Sequence, residues 1–281
     1  GTTATAAQQV TLTMISRQHV GNVFLSGRST LGVAATAAVV AKLRGEVSAA
    51  STDNVPLYVS TDQEGGEVQV LSGPGFSAMP TGVAQGRLSA ATLQTDATTW
   101  GRQLKSAGVN MNLAPVVDLV GTPAAAASNP PIGAFQRELG FTVGGVTTHA
   151  SAFHVGMSAS GVQTVLKHFP GLGFVSANTD TTANVTDDAV SANGADVGIY
   201  KTEIAGGEGV VHVKPASLET VLWFLRDDEE CLFAQLIDIG GVDYPERAQR
   251  FEVVYQLLSL KHNQRIRVKV ATDEATPVPS A

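Results

Sequence analysis

Apolar and polar positions along this chain follow two different rhythms. In the first two thirds, short apolar runs of strand length alternate with longer stretches of helical spacing. Val23-Phe24-Leu25 predicts a short buried strand, and residues 31–43 predict a helix. Residues 56–60 predict a second strand, ending at Thr61-Asp62. Ser89 is placed to cap a helix running to Ala107, with Gly108 placed to stop it. Residues 109–117 predict a third strand and residues 162–168 a fourth. Strands separated by helices imply a parallel sheet with right-handed crossovers, either doubly wound or curved as in a (β/α)8 barrel.

The last third reads differently. Ser217 is placed to cap a predicted helix over 218–226, with Leu218, Val221, Leu222 and Leu225 at helical spacing. Residues 231–239 form an apolar run of strand character. Residues 251–259 and 265–270 predict two strands joined by Leu260-Lys261-His262-Asn263. The run Arg265-Ile266-Arg267-Val268-Lys269-Val270 alternates strictly, as a sheet with one wet face requires. This is an α+β pattern, and Pro277-Val278-Pro279 is a loop tail.

Composition sharpens the division. The chain has 281 residues, 43% hydrophobic and 15% charged, which excludes an intrinsically disordered protein. Charge is uneven: 20 charged residues lie among the first 195 and 23 among the remaining 86. The shift predicts two domains, 1–193 and 194–281, parted at the turn-forming pair Asn193-Gly194. No apolar run of about 18 residues is present to predict a membrane span. Gly1 to Val10 lacks the basic-then-apolar layout of a signal peptide, a layout a processed start would lack too, so localisation stays open. One cysteine, Cys231, permits neither an internal disulfide nor a cysteine-cluster metal site; no metal or cofactor is expected. A net charge of -7 gives no reason to expect nucleic acid.

In parallel α/β folds, ligands bind beyond the carboxyl ends of the strands. Three predicted ends are polar: Asp62-Gln63-Glu64-Gly65-Gly66, Asn112-Leu113-Ala114-Pro115-Val116-Val117-Asp118, and Lys167-His168-Phe169-Pro170-Gly171. A carboxylate, a lysine and a histidine at one mouth suit a polyhydroxylated ligand, because each hydroxyl takes both a donor and an acceptor. Taken singly the residues say less. Asp62 alone reads as a turn or helix cap, Lys167 and His168 as a solvated strand end, and Asp118, before Gly121 and Pro123, as a loop residue. His19, His149 and His154 read as surface or core histidines.

Together with Asn129-Pro130-Pro131-Ile132-Gly133-Ala134-Phe135-Gln136-Arg137, these three motifs resemble glycoside hydrolase family 3, with the bacterial β-N-acetylhexosaminidases as the nearest branch. The likeness covers about residues 15–190. It implies a (β/α)8 TIM-type barrel, here partial, and retaining hydrolysis of terminal N-acetylglucosamine from a glycan. It also implies that Asp62, Arg137, Lys167 and His168 hydrogen-bond the sugar. The family's acid/base is an Asp-x-His pair on the loop after the Lys-His motif. This chain has Asn178-Thr179-Asp180 there, so Asp180 stands as an acid/base candidate or as a simple loop residue. The family's nucleophilic aspartate falls in the charged segment, where no matching setting occurs, and the nucleophile is unassigned. Asp238, after Gln235-Leu236-Ile237, imitates its position.

The charged segment carries a second resemblance. Phe224-Leu225-Arg226-Asp227-Asp228, Gly241-Val242-Asp243-Tyr244-Pro245-Glu246-Arg247 and Arg250-Phe251-Glu252-Val253-Val254-Tyr255 are similar to the C subunit of the proton-pumping NADH:quinone oxidoreductase (NADH dehydrogenase), over about residues 197–281. That likeness implies a scaffold without its own redox centre, docking against other subunits of a respiratory complex on the cytoplasmic face of a membrane. Relatives of the first part are often exported. The chain thus reads as a chimera of two incomplete domains, with impaired glycosidase activity expected.

Overall fold

The computed structural model describes residues 2–191, 193–207, 209–262 and 264–278. Its contacts divide the chain into two compact units, Gly1–Glu203 and Ile204–Ala281. The composition break at Asn193-Gly194 lies just before the helix Ala195–Gly207, which packs Ile199 and Tyr200 against Val117, Leu119 and Val146 of the first unit.

In the first unit, five strands pair in parallel and in chain order: β1 (Thr2–Thr3), β2 (Asn22–Ser26), β3 (Tyr58–Thr61), β4 (Met111–Asn112) and β5 (Gln163–Thr164). The register aligns Val23 with Val59, Ser60 with Met111, and Met111 with Gln163. The order never reverses, whereas a doubly wound sheet must reverse at a switch point. The winding is therefore single, and the doubly wound alternative falls away. The crossovers are helical: α1 (Gln9–Gln18), α2 (Gly32–Arg44), α3 (Ala90–Ser106) and α4 (Val143–Ser158), with α5 (Ala195–Gly207) following β5.

Local chemistry explains the best-formed of these. Ser89 caps α3 by accepting from the Thr92 amide at 3.1 Å, and Gly108 follows its end at φ 84°. Leu93, Ala97, Trp100 and Leu104 form its buried stripe. Trp100 meets Phe153 of α4 with ring centroids 6.3 Å apart. A side chain at Gly156 would collide with the backbone of Gln94, so glycine lets the two helices close up. Burying a ring such as Phe153 stabilises the unit by about 2–3 kcal/mol relative to exposure.

The third and fourth strands are far shorter than predicted. Pro115 has no amide hydrogen to give the ladder, so regular pairing stops after Asn112. It resumes as a single parallel bridge between Val116 and Lys167, where the Val117 amide donates to the Lys167 carbonyl at 2.8 Å.

The second unit holds β6 (Gly209–Val213), α6 (Leu218–Asp227), β7 (Gln235–Asp243), β8 (Phe251–Ser259) and β9 (Gln264–Thr272). Its sheet runs β6-β9-β8-β7, with β6 parallel to β9 and the other pairs antiparallel. Leu218 and Leu225 of α6 pack on Tyr255, Leu257, Val268 and Val270. Two expectations need correction. Ser217 makes no side-chain cap, because it ends a 3-10 turn, Pro215–Ser217, with helical rather than extended backbone. The strand predicted from Cys231 begins only at Gln235, because the Phe233 amide turns back to the Leu225 carbonyl at 2.7 Å. Asn263 of the predicted connection and Pro279 of the predicted tail lie outside the described residues.

Candidate functional site

The site lies where β3, β4 and β5 end. Asp62 follows β3, and the next residues enter a short hairpin, Gln63–Gly65 with Val68–Gln69. Asn112 fixes that exit: its side chain accepts from the Gln63 amide at 3.0 Å and donates to the Gln63 carbonyl at 2.9 Å. The Gln63 side chain bonds both polar groups of the Leu71 backbone. Gly65 takes φ 115°, and a side chain there would strike the Pro80 carbonyl, so the loop closes only with glycine. Arg137 arrives from the loop after the 3-10 turn Gly133–Phe135. Asn129 holds that loop by accepting from the Ile132 and Gly133 amides and donating to the Leu172 and Val175 carbonyls.

These supports bring six side chains into one network. Lys167 Nζ lies 2.6 Å from Asp62 Oδ1 and 2.5 Å from Glu64 Oε1. Arg137 grips Glu64 in a two-point fork, Nε to Oε2 and Nη2 to Oε1, each at 2.8 Å, and donates to the Pro131 carbonyl through Nη1. Arg137 Nη2 also lies 3.1 Å from His168 Nε2. His168 Nδ1 lies 2.6 Å from Asp118 Oδ2.

Exposure grades the network. Asp62 and His168 keep about a quarter of their side-chain surface in solvent, 26% and 27%, while Glu64 at 6% and Asp118 at 0% lie beneath. Burial would raise the Glu64 carboxyl, but the Arg137 hydrogen bonds and the Lys167 charge outweigh it and hold the group below its ordinary range. Burial would likewise weaken the Arg137 cation, and the Glu64 hydrogen bonds reverse that, raising it. The rim thus offers acceptors on Asp62, donors on Lys167 and Arg137, and an imidazole, all fixed before any ligand arrives. Such a set matches hydroxyl and amide groups on a polar, uncharged ligand.

Asp62, Arg137, Lys167 and His168 are all brought together here. Asp180 stands apart from them: it sits exposed in a turn built on Asn178, whose Oδ1 accepts the Asp180 amide at 2.9 Å. Asp238 lies exposed in mid-strand on β7, opposite Gln256, in the other unit. Asp118 is the clear correction. It lies in irregular backbone, as expected of a loop residue, but it is fully buried, because three donors converge on it: the His168 ring, the His168 amide and the Leu172 amide. Glu64 also escaped notice as a site residue, although it stands two places after Asp62. His19, His149 and His154 hydrogen-bond to Ser51, to Gly145 and Leu88, and to Thr164, away from the network. Among the described residues no cluster of three His, Cys, Asp or Glu side chains is arranged to hold a metal, and no helix is long and apolar enough to cross a membrane.

The profile of the glycosyl hydrolase family 3 N terminal domain matches residues 2–220. The chain belongs to glycosyl hydrolase family 3. Among solved family 3 structures, the β-N-acetylhexosaminidase from Beutenbergia cavernae is 58% identical, with a TM-score of 0.73, over 75% of this chain and 63% of that one. A family 3 β-N-acetylglucosaminidase from Paenibacillus sp. is 29% identical, with a TM-score of 0.61, over 75% of this chain and 39% of that one.

A second profile, the respiratory-chain NADH dehydrogenase 30 Kd subunit, matches residues 211–281. The C subunit of NADH-quinone oxidoreductase from Maricaulis maris is 56% identical over 89 residues, 32% of this chain and 44% of that protein. Its counterpart from Paramagnetospirillum magneticum is 64% identical over 74 residues, 26% of this chain and 37% of that protein. The chain spans less than half the length of these curated relatives and under two thirds of the Beutenbergia enzyme. In the unit that resembles them, α6 and β7 border an open groove of about 270 Å³, whose lining mixes Leu222, Trp223, Phe233 and Leu236 with the charged Glu219 and Arg226.

Proposed function

We propose that the first unit is an incomplete family 3 barrel that binds terminal N-acetylglucosamine of a glycan at Asp62, Arg137, Lys167 and His168, with hydrolysis impaired. The single observation that carries this reading is the preassembled network of those four side chains with Glu64 and Asp118. Lys167 and Arg137 donate to sugar hydroxyls, and Asp62 accepts from them. Retaining hydrolysis needs a free carboxylate to attack the anomeric carbon and a second group to protonate the leaving oxygen. Asp62, Glu64 and Asp118 are each committed to cations or to amide and imidazole donors. Asp180, exposed beyond the Lys-His loop, is the acid/base candidate, and no residue is assigned as nucleophile. Five parallel strands among the described residues, where a closed barrel has eight, support the view that the barrel is partial. The composition break supports two domains, 1–193 and 194–281, a division ten residues before the one between the compact units.

The test is calorimetric titration of the whole chain with N-acetylglucosamine. Saturable binding lost in Asp62→Ala supports the proposal. No binding by the unaltered chain, or binding untouched by Asp62→Ala, refutes it.

A second reading rests on the match of residues 211–281 to the respiratory-chain 30 Kd subunit and on the open groove of that unit. Here the chain is a non-catalytic interaction module for subunits of a respiratory NADH:quinone oxidoreductase. Co-purification of those subunits with the chain supports it, and failure of purified subunits to bind the chain removes it.

A further inference from the structure

We propose that Asp118 is a positioning residue: its buried carboxylate fixes the tautomer of His168 and, through His168, holds Arg137 at the rim. The inference rests on the glycan-binding reading for its purpose, but its geometry stands apart from any sugar.

An ionised carboxylate only accepts hydrogen bonds and a guanidinium only donates them. Asp118 Oδ2, 2.6 Å from Nδ1, therefore requires the ring hydrogen on Nδ1. Arg137 Nη2, 3.1 Å from Nε2, requires a lone pair there. One tautomer, Nδ1–H with Nε2 bare, satisfies both neighbours, and the other leaves donor against donor at Arg137. Asp118 is itself locked, since Oδ1 accepts the Leu172 amide at 2.7 Å and Oδ2 also takes the His168 amide at 3.2 Å. With no exposed surface, it touches a ligand only through His168. Arg137 then has three fixed acceptors: Glu64, the Pro131 carbonyl and His168 Nε2.

The test reads the tautomer directly, by nitrogen-15 spectra of the imidazole in the whole chain, with His168→Gln identifying the resonances. The unaltered chain is expected to show Nδ1 protonated and Nε2 bare; a hydrogen on Nε2 overturns the proposal. Asp118→Ala removes the acceptor and leaves Arg137 alone to hold Nε2 bare, so its expected result is a partial shift toward Nε2–H, with N-acetylglucosamine affinity down about tenfold or more. An unchanged tautomer or an unchanged affinity overturns the proposal. Asp118→Asn keeps an oxygen that can accept from His168 only by turning its NH2 on the Leu172 amide, so it is expected to keep the tautomer while losing less affinity than Asp118→Ala. If Asp118→Ala does not fold, the tautomers of the unaltered chain and of Asp118→Asn decide, and a hydrogen on Nε2 in either overturns the proposal. Asp62→Ala is expected to abolish sugar binding without moving the tautomer. An unaltered chain that shows the expected tautomer but ignores N-acetylglucosamine refutes the glycan reading, and the spectra of the variants then decide the role of Asp118.

Discussion

Replacing Glu64 by Gln removes one charge without changing shape, and the structure sets the cost. Glu64 Oε1 lies 2.8 Å from Arg137 Nη2 and 2.5 Å from Lys167 Nζ, and Oε2 lies 2.8 Å from Arg137 Nε. Whichever way the new amide turns, its NH2 faces a donor. At an effective dielectric of about 20, each ion pair at this distance is worth roughly 6 kcal/mol before desolvation is subtracted. Desolvation of the carboxylate and the cations offsets most of that, and breaking such a buried pair typically costs about 3–5 kcal/mol. Lys167 keeps Asp62 as partner, so the lower end, about 3 kcal/mol, is expected. For a unit of this size that is a melting point lower by about 6–12 °C. Trp100 is buried in this unit and Trp223, the second tryptophan of two, lies in the other. Melting curves followed by fluorescence in a Trp223→Phe background therefore report on the right unit.

The pH dependence has a fixed sign. Folding lowers the Glu64 carboxyl below its unfolded value, because Arg137 and Lys167 outweigh burial. Its contribution is therefore complete above the unfolded value and is lost as pH falls through the folded one. The gap between unaltered chain and Glu64→Gln should close on acidification. A loss below about 0.5 kcal/mol at neutral pH, the range of an inconsequential surface change, refutes the reasoning. So does a gap that widens with acid.

Three further outcomes follow from the packing. Phe153→Ala, which empties the contact with Trp100, should destabilise the first unit by about 3–5 kcal/mol in urea titrations followed by Trp100 fluorescence. Leu225→Ala should cost the second unit about 2–5 kcal/mol, read from loss of near-ultraviolet dichroism in a Trp100→Phe background, with the first unit's transition unmoved. Asp196 is raised chiefly by burial, with the Leu119 amide opposing, so its charged form burdens the fold above the folded value. Asp196→Asn keeps an acceptor for that amide and should leave the first unit equally stable or up to about 1 kcal/mol more stable at neutral pH, a gain that vanishes on acidification.

Local signals were legible where one short stretch decides the structure. Ser89 and Gly108 bound a helix because capping and left-handed backbone are set by those residues alone. The strands over 251–259 and 265–270 were readable because the alternation is long, and β8 matches residue for residue. The strands at 109–117 and 162–168 were overextended because apolar runs beyond a proline look like ladder while pairing only singly. At the site, Asp62, Arg137, Lys167 and His168 came from matching motifs rather than periodicity. Glu64 and Asp118 were hidden for a physical reason. Their roles are to neutralise and orient other side chains, and those partners lie 73 and 50 residues away along the chain. A carboxylate that serves a distant cation carries no local mark; the apolar run 113–117 leading into Asp118 was the one hint that it would be buried.

The most direct measurement is release of nitrophenol from 4-nitrophenyl N-acetyl-β-glucosaminide by the purified whole chain, with sugar binding followed in parallel. Saturable binding that depends on Asp62, with release no faster than in Asp62→Ala, is the predicted result. Sustained release that Asp62→Ala abolishes would contradict it, because an attacking carboxylate would then have to be present in a barrel proposed to be incomplete.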